Sequence, residues 1–536
     1  MAGAAETRLV SGDTSRSNAV AAAAVALAAV LFVTSLAALF EVITISDPFA
    51  GVPVVTVLGG TLSLLGVAVI TFGVGSYVGA VETEPSRSAG LVAAVVFGVV
   101  WFAVGGAVTS RVLGIGGVAW AFVALLTGAV ASAVTAVPRE DIGSTLPAGA
   151  VTLLAGMTFL TGSVGPAWVW ELEFEQQASL TAEFAIPVVT LFCALLAGWA
   201  AAKAYGGFGA RGRKMGAYLL IYLNAGSIVS VLFILIAFTA FRGIPGLLNG
   251  TEFGLGTGPT VFGFALPVSI PFVMHGVSLF NDFQGVLPAI AGTIWLVVGA
   301  VLFAVPLGVG AAIFLTEYAE RGRFTQVVEV ATNGLWSTPS IVFGLFGFAF
   351  LIPRFGGGKS LLSGMLTLGF MLLPLVLITS REAMLAVPDE YRDASAALGV
   401  SKWQTIRSVV VPAALPGVVT GVILGVGRIA GETAPILLTM TGGTFVPGER
   451  TVDVIGGFEF VSTPPFVANP ELLRATTALP FQLYALITAG VGLGDNVSSP
   501  TEFQWATALV LLLVVLSFYA IGIGARYYFR RKLDYE

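Results

Sequence analysis

The sequence predicts an all-α, polytopic helical membrane protein, and three observations predict it. Of its 536 residues, 56% are hydrophobic and only 10% charged, with a mean hydropathy of +0.94; soluble domains of this length do not have that composition. Its apolar residues gather into runs of roughly twenty or more, the length that carries a helix across ~30 Å of hydrocarbon. Lysine and arginine fall unequally on the alternating connections, as the two sides of a membrane require.

The same composition narrows the function. A net charge of −5, spread over loops, implies no nucleic-acid partner. Cys193 is the only cysteine and lies in an apolar run, so an intrachain disulfide is excluded. His275 is the only histidine and is expected in a structured outer loop; zinc or haem would have no ligand set, and no metal or cofactor is expected.

Taken in order, the chain opens with a polar stretch through Asn18. The run from Ala19 to about Phe40 exceeds a signal-peptide core and reads as a retained first span. Six spans are expected in residues 1–205, at about 19–44, 53–80, 89–110, 113–137, 145–164 and 184–203. No ionisable pair is expected within any of them. The acidic segment with Glu171, Glu173, Glu175 and Glu183 is placed outside. Residues 206–215, basic and glycine-rich, read as a linker and domain boundary.

Six more spans are expected over 216–529, at about 216–241, 287–315, 326–352, 361–380, 413–439 and 503–526, before a tail at 530–536. With this topology the lysines and arginines from Lys203 onward, apart from Arg428 within a span, divide fourteen inside to five outside. That bias places both termini in the cytoplasm of a multi-pass cell-membrane protein. Two outer segments are long, at about 242–286 and 440–502, and the apolar stretch 476–486 in the second suggests a helix packed on a pore mouth. Sequons at Asn249 and Asn496 fall on that side but are frequent by chance.

Between two apolar runs lies a charged segment, 381–412, with its own local grammar. Pro388 followed by Asp389 and Glu390 opens a helix, with acids on the positive dipole end. Tyr391, Ala394, Ala397 and Leu398 form a short apolar stripe, and Gly399 stops it. Ser401 with Gln404 three residues on makes a capping box, so a second helix starts at once. The expectation is a helix, a glycine turn and a helix entering the bilayer.

Asp393-Ala394-Ser395, then Gly399, Ile406 and Pro412, resembles the EAA loop of ABC importer permeases: an acidic-Ala-small triplet, a glycine six residues after the acid and a proline thirteen after the glycine. The departures are Asp for Glu and Ser for the second Ala. The resemblance implies that this loop is the coupling helix, which docks in a groove of a cytoplasmic ATPase. An ordinary amphipathic surface helix is the bland alternative.

The chain carries no ATP site of its own. Gly358-Lys359-Ser360 looks like the end of a phosphate-binding loop, but Pro353 stands where its first glycine belongs. Gly207 to Gly212 matches G-x-G-x-x-G but follows no strand.

The fifth span of the second half holds Arg428, Gly431, Glu432 and Thr433. Arg428 and Glu432, four apart, are expected on one helical face deep in the span. A charge at the bilayer centre costs ~2.5–3.5 kcal/mol even on insertion scales, so such residues pair and face a bundle interior or a water path. They mark an anion pathway; the alternative is a pair that only braces two helices. GETAPILLT at 431–439, AVPLGVGAAIFLTEYAERG at 304–322, STPSIVFGLFG at 337–347 and TALPFQLY at 477–484 resemble phosphate-importer permeases of the PstA type. The resemblance covers about 216–529 and omits the first 200 residues. It implies a type I ABC importer core of six helices, to which about six N-terminal helices are added. It also implies a non-catalytic permease subunit that works with a sister permease, a cytoplasmic ATPase dimer and an extracellular phosphate-binding protein, within membrane lipid. ATP binding would tilt the helix before Gly399 and swing the spans outward. Another oxyanion (molybdate, tungstate or sulfate) remains as an alternative substrate. A secondary transporter, or for residues 1–205 a fused sensor or scaffold, are the rivals of a different class.

Overall fold

In the computed structural model of the chain, the described residues are 12–172, 178–254, 256–258, 260–261, 264–265, 267–276, 285–320, 322–441, 451–464, 466–488 and 500–533. The Asn496 sequon and the carboxylates Glu173 and Glu175 lie outside them. The chain forms two compact units, Met1–Leu235 and Ile236–Glu536, and passes from one to the other within a single long helix.

The first unit contains α1 (Gly12–Leu39), α2 (Val54–Val78), α3 (Leu91–Ala107), α4 (Ala119–Ala136), α5 (Glu140–Leu160), α6 (Ala182–Tyr205) and the first part of α7 (Gly209–Leu248). A short antiparallel ribbon, Val169–Leu172 with Ala178–Thr181, joins α5 to α6. Close packing is written into α2 and α5 as glycines. Gly59, Gly66 and Gly73 recur every seven residues, and so lie along one face. A Cβ on Gly66 would sit 2.7 Å from the Gly149 carbonyl oxygen, and one on Gly156 would sit 2.7 Å from that of Gly59. Only glycine permits such backbone-to-backbone contact between membrane helices.

The second unit contains the remainder of α7, α8 (Pro271–Met274), α9 (Leu287–Ile313), α10 (Arg323–Ser337), α11 (Ser340–Phe346), α12 (Leu361–Leu385), α13 (Asp389–Ala397), α14 (Lys402–Thr405), α15 (Val411–Ala430), α16 (Ala434–Thr439), α17 (Leu479–Thr488) and α18 (Pro500–Leu533). Its core lies around Leu296, Leu368, Leu372, Ile429 and Ile436. α15 meets α12 through Gly417, Gly421 and Gly425, spaced by four, which face Ala383, Thr379 and Leu372. The stretch 476–486 gives α17, whose Leu479 N–H donates to Thr293 Oγ1 of α9 at 2.9 Å.

Among the described residues, eleven helices are long and apolar enough to cross a membrane, or twelve if one bent pair counts as a span. The chain is thus a multi-pass helical membrane protein. Two expected spans differ in form. The run at 326–352 is not one straight helix, because Arg323–Ser337 and Ser340–Arg354 meet at 102°. Pro339 lies between them; it lacks an N–H and pushes Thr338 out of the α region (φ −67°, ψ 131°). The run at 413–439 also breaks, with α15 ending at Ala430 and α16 starting at Ala434.

A third difference concerns charge. The expectation of no ionisable pair within the first six spans is overturned, because α5 starts at Glu140 rather than near Thr145 and α6 runs on to Tyr205. Lys203 Nζ lies 2.8 Å from Glu140 Oε1, with side chains 1% and 0% exposed. Residues 206–215, expected as a linker, take the form of a tight turn and the opening of α7. Gly207 and Gly209 have φ of +74° and +59°, values that favour glycine. The turn aims the Gly209 N–H at Glu140 Oε2, which also accepts from the Ser86 N–H, each at 3.0 Å.

Candidate functional site

The segment 381–412 folds as its local signals dictate. Pro388 caps α13, with Asp389 and Glu390 in the first turn. At its far end the Gly399 N–H donates to the Ala396 carbonyl and the Val400 N–H to that of Ser395, at 2.9 and 3.2 Å. This paired closure requires the left-handed φ of +72° that Gly399 adopts. The Ser401 N–H then donates to Gln404 Oε1 at 3.2 Å, completing the capping box that starts α14. Ile406 is buried and opens a π turn, Ile406–Val410, that ends two residues before Pro412. A proline cannot donate to the preceding turn, and a local widening of the ladder accommodates that loss.

Asp393 and Ala394 face outward, while Ser395 is buried and its hydroxyl donates to the Tyr391 carbonyl at 2.9 Å. Leu398, Trp403 and Tyr391 are also exposed, Leu398 by 82%. The small helix is therefore an apolar and acidic projection. Its anchor was not foreseen in the sequence. Arg392 Nη2 and Nε reach Glu317 Oε1 at 2.9 and 3.3 Å, and its guanidinium also donates to the Val387 and Met384 carbonyls. Glu317 lies in the turn after α9, so Arg392 fastens α13 to the ends of both α9 and α12. The acid of TEYAERG was the available signal.

The second site lies where two helices break. α15 ends with Arg428 in its last turn, Gly431 to Thr433 are irregular, and α16 restarts under Pro435. α11, beyond the other break, packs on α16, where a Cβ on Gly344 would come within 2.9 Å of Pro435 Cα. The breaks thus adjoin. Trp336, in the last turn of α10, lies under the Arg428 guanidinium at 4.4 Å from its ring centroid. Arg428 Nε is 3.9 Å from Glu432 Oε1, and the two side chains are 34% and 18% exposed. That separation is too long for a hydrogen bond. Glu432 is not on the face of a continuous helix, as expected, but just past the helix end, so the pair sits in an opening rather than inside a rod. Gly431 is exposed, and a Cβ there would meet only the Arg428 carbonyl oxygen, at 4.0 Å. Thr433 caps α16 by position, its carbonyl accepting from the Leu437 N–H at 3.0 Å.

Chemically, the arrangement is a planar cation held on an aromatic face, loosely opposed by one carboxylate, beside open space. A guanidinium so placed keeps in-plane donors available for an oxyanion. Sequence reasoning named Arg428, Gly431, Glu432 and Thr433 and missed Trp336, although the Ser337-Thr338-Pro339 break after it was a signal. The two look-alike motifs are local structure: Ser360 caps α12, Lys359 Nζ donates to the Leu437 carbonyl at 2.8 Å, and Gly207–Gly212 is the turn into α7.

Residues 304–535 match the family described as binding-protein-dependent transport system inner membrane component. Over 255 residues the chain is 34% identical to the phosphate transport system permease protein PstA of Haemophilus influenzae, covering 47% of this chain and 78% of that protein. It is 42% identical over 154 residues to PstA 1 of Mycobacterium tuberculosis (strain CDC 1551 / Oshkosh), covering 29% and 50% of the two chains. It is 36% identical over 172 residues to the probable ABC transporter permease protein YqgI of Bacillus subtilis, covering 32% of this chain and 58% of that one. The chain thus spans between half and about four-fifths of these relatives' lengths. With its helical membrane fold, it belongs to the family of binding-protein-dependent transport system inner membrane components, among the permeases of the PstA type.

Proposed function

We propose that the chain is the permease subunit of an ATP-driven importer of inorganic phosphate. The single observation that carries this reading is the break at 431–433, where Arg428 rests on Trp336 with a loosely held carboxylate partner, on a chain whose relatives are named for phosphate transport. Arg428 supplies in-plane donors to the anion. Glu432 holds Arg428 when the site is empty and yields as phosphate arrives. Such a contact has to be weak, since a tight site traps its ion. Gly431 leaves room, and Thr433 starts the helix beyond.

Asp393, Ala394, Ser395, Gly399, Ile406 and Pro412 form the coupling element. The exposed face with Leu398 and Asp393 docks on a cytoplasmic ATPase dimer, and Arg392 transmits its tilt through Glu317 to α9. A sister permease completes the pathway, and an extracellular binding protein delivers the anion. Both termini and α13 face the cytoplasm of the cell membrane. Residues 1–205 are an added membrane domain that does not enter this cycle.

The test is radiolabelled phosphate uptake by the assembled transporter. Arg428→Gln is expected to abolish uptake while subunit assembly persists. Sulfate or molybdate uptake in place of phosphate would reassign the substrate within the same mechanism, whereas unaltered phosphate uptake by Arg428→Gln would remove the site.

A further inference from the structure

In the first unit, a groove of about 350 Å³ opens between α3, α6 and α7. It is graded along its length. Val92, Val96, Phe97, Leu196 and Leu220 line its body, and Lys203 and Arg213 lie at one end, with Trp199 between. Along α6, Lys203 lies eight positions after Leu195. At 1.5 Å per residue the groove runs roughly 12 Å down the helices from its charged end.

The charges at that end do not cancel. Lys203 is neutralised by Glu140 at 2.8 Å. Arg213 Nη1 stands 3.6 Å from the same carboxylate, donates to Ser86 Oγ at 2.6 Å and is 53% exposed. Two cations therefore share one carboxylate, leaving one positive charge in excess among the charged side chains that line the groove and their ion-pair partner. The neighbouring Arg139 and Asp141 pair with each other at 2.7 Å and add nothing to the balance. The first turn of α3 enters the groove at this end, and its N-cap, Gly90, has no side chain to cap it. One surplus cation above an apolar trough is complementary to one kind of molecule abundant around a membrane helix: a phospholipid with a singly anionic headgroup.

We infer that the α3–α6–α7 groove binds a monoanionic phospholipid, with its phosphate at Arg213 and an acyl chain along Val92, Val96, Leu196 and Leu220. The Glu140–Lys203 pair positions Arg213 and is not itself the lipid contact. The site is separate from the proposed anion pathway, so its lipid selectivity stands or falls independently of phosphate transport.

Trp199 gives the reporter. The full-length chain in detergent is titrated with phosphatidylglycerol or phosphatidylcholine carrying brominated acyl chains, and the quenching lost in Trp199→Phe is read. Phosphatidylglycerol is expected to quench at about fivefold lower concentration, the selectivity one basic residue confers near an anionic lipid. Arg213→Gln should bring phosphatidylglycerol to the level of phosphatidylcholine, and Arg213→Lys should keep most of the preference. Val96→Phe, which fills the groove without touching a charge, should weaken quenching by both lipids. Millimolar inorganic phosphate should leave the bound lipid in place. Equal quenching by the two lipids, a preference that survives Arg213→Gln, quenching unaltered by Val96→Phe, or displacement by free phosphate would each overturn the inference.

Discussion

The two units each hold an arginine or lysine against a glutamate at a helix end, and they hold it in opposite ways. Glu140 and Lys203 are fully buried, 2.8 Å apart, with Glu140 also accepting two backbone N–H groups. Arg428 and Glu432 are partly exposed, 3.9 Å apart, at a break beside a second break. A short pair closed off from solvent offers an incoming anion no access, and losing one partner disturbs a buried charge. A long, open pair loses little when parted and can exchange its partner for an incoming anion. The same two residue chemistries therefore serve as a lock in one unit and as a candidate contact site in the other.

The largest expected effect falls on the lock. Lys203→Met leaves the buried Glu140 carboxylate with only the half-exposed Arg213, 3.6 Å away, and should cost up to about 3–5 kcal/mol of stability, read as a lowered unfolding temperature of the full chain. Glu140→Gln/Lys203→Met should recover most of it, since a buried pair replaced whole by neutral groups is often tolerated. A normal unfolding temperature for Lys203→Met would break the contrast. On the open pair the expected effect is on transport instead. Arg428→Lys should retain partial phosphate uptake, because it keeps the charge and loses the planar fork. Glu432→Gln should be milder than Arg428→Gln. Trp336→Leu should give the smallest change, a few-fold rise in the phosphate concentration for half-maximal uptake, because it removes the aromatic rest of about 0.5–2 kcal/mol and leaves the charge. A loss of assembly in any of these variants would make the open pair a brace like the buried one.

Coupling gives a separate check. Gly399→Val forces a left-handed turn on a β-branched residue, and Asp393→Lys inverts an exposed charge. Each should leave the complex assembled and abolish substrate-stimulated ATP hydrolysis; normal stimulation in both removes the coupling role of α13.

Much of this was legible in the sequence where the signal is local. Pro388, the acids after it, Gly399 and the Ser401–Gln404 box act within a turn of themselves, and α13 and α14 formed where those residues placed them. Hydropathy located the spans because burial in hydrocarbon depends on composition over about twenty residues. The same averaging merged the helices on either side of Pro339 and Gly431 into single runs, although the proline and the glycine are local signals for a break. Pairings between distant segments were not legible. Pro138 and the acids after it mark Glu140 as a helix start, but nothing local says that its partner is Lys203, at the end of the next helix. Arg392 with Glu317 and Arg428 with Trp336 are likewise tertiary facts.

The central claim is that Arg428 acts on the translocated anion and is not a structural partner of Glu432. The most direct measurement compares phosphate uptake by Arg428→Gln with that by Arg428→Gln/Glu432→Gln, at matched amounts of assembled transporter. If Arg428 contacts the anion, both variants remain inactive, because removing Glu432 cannot replace the lost guanidinium. If uptake returns in the double variant, the pair was only a brace and the claim is contradicted.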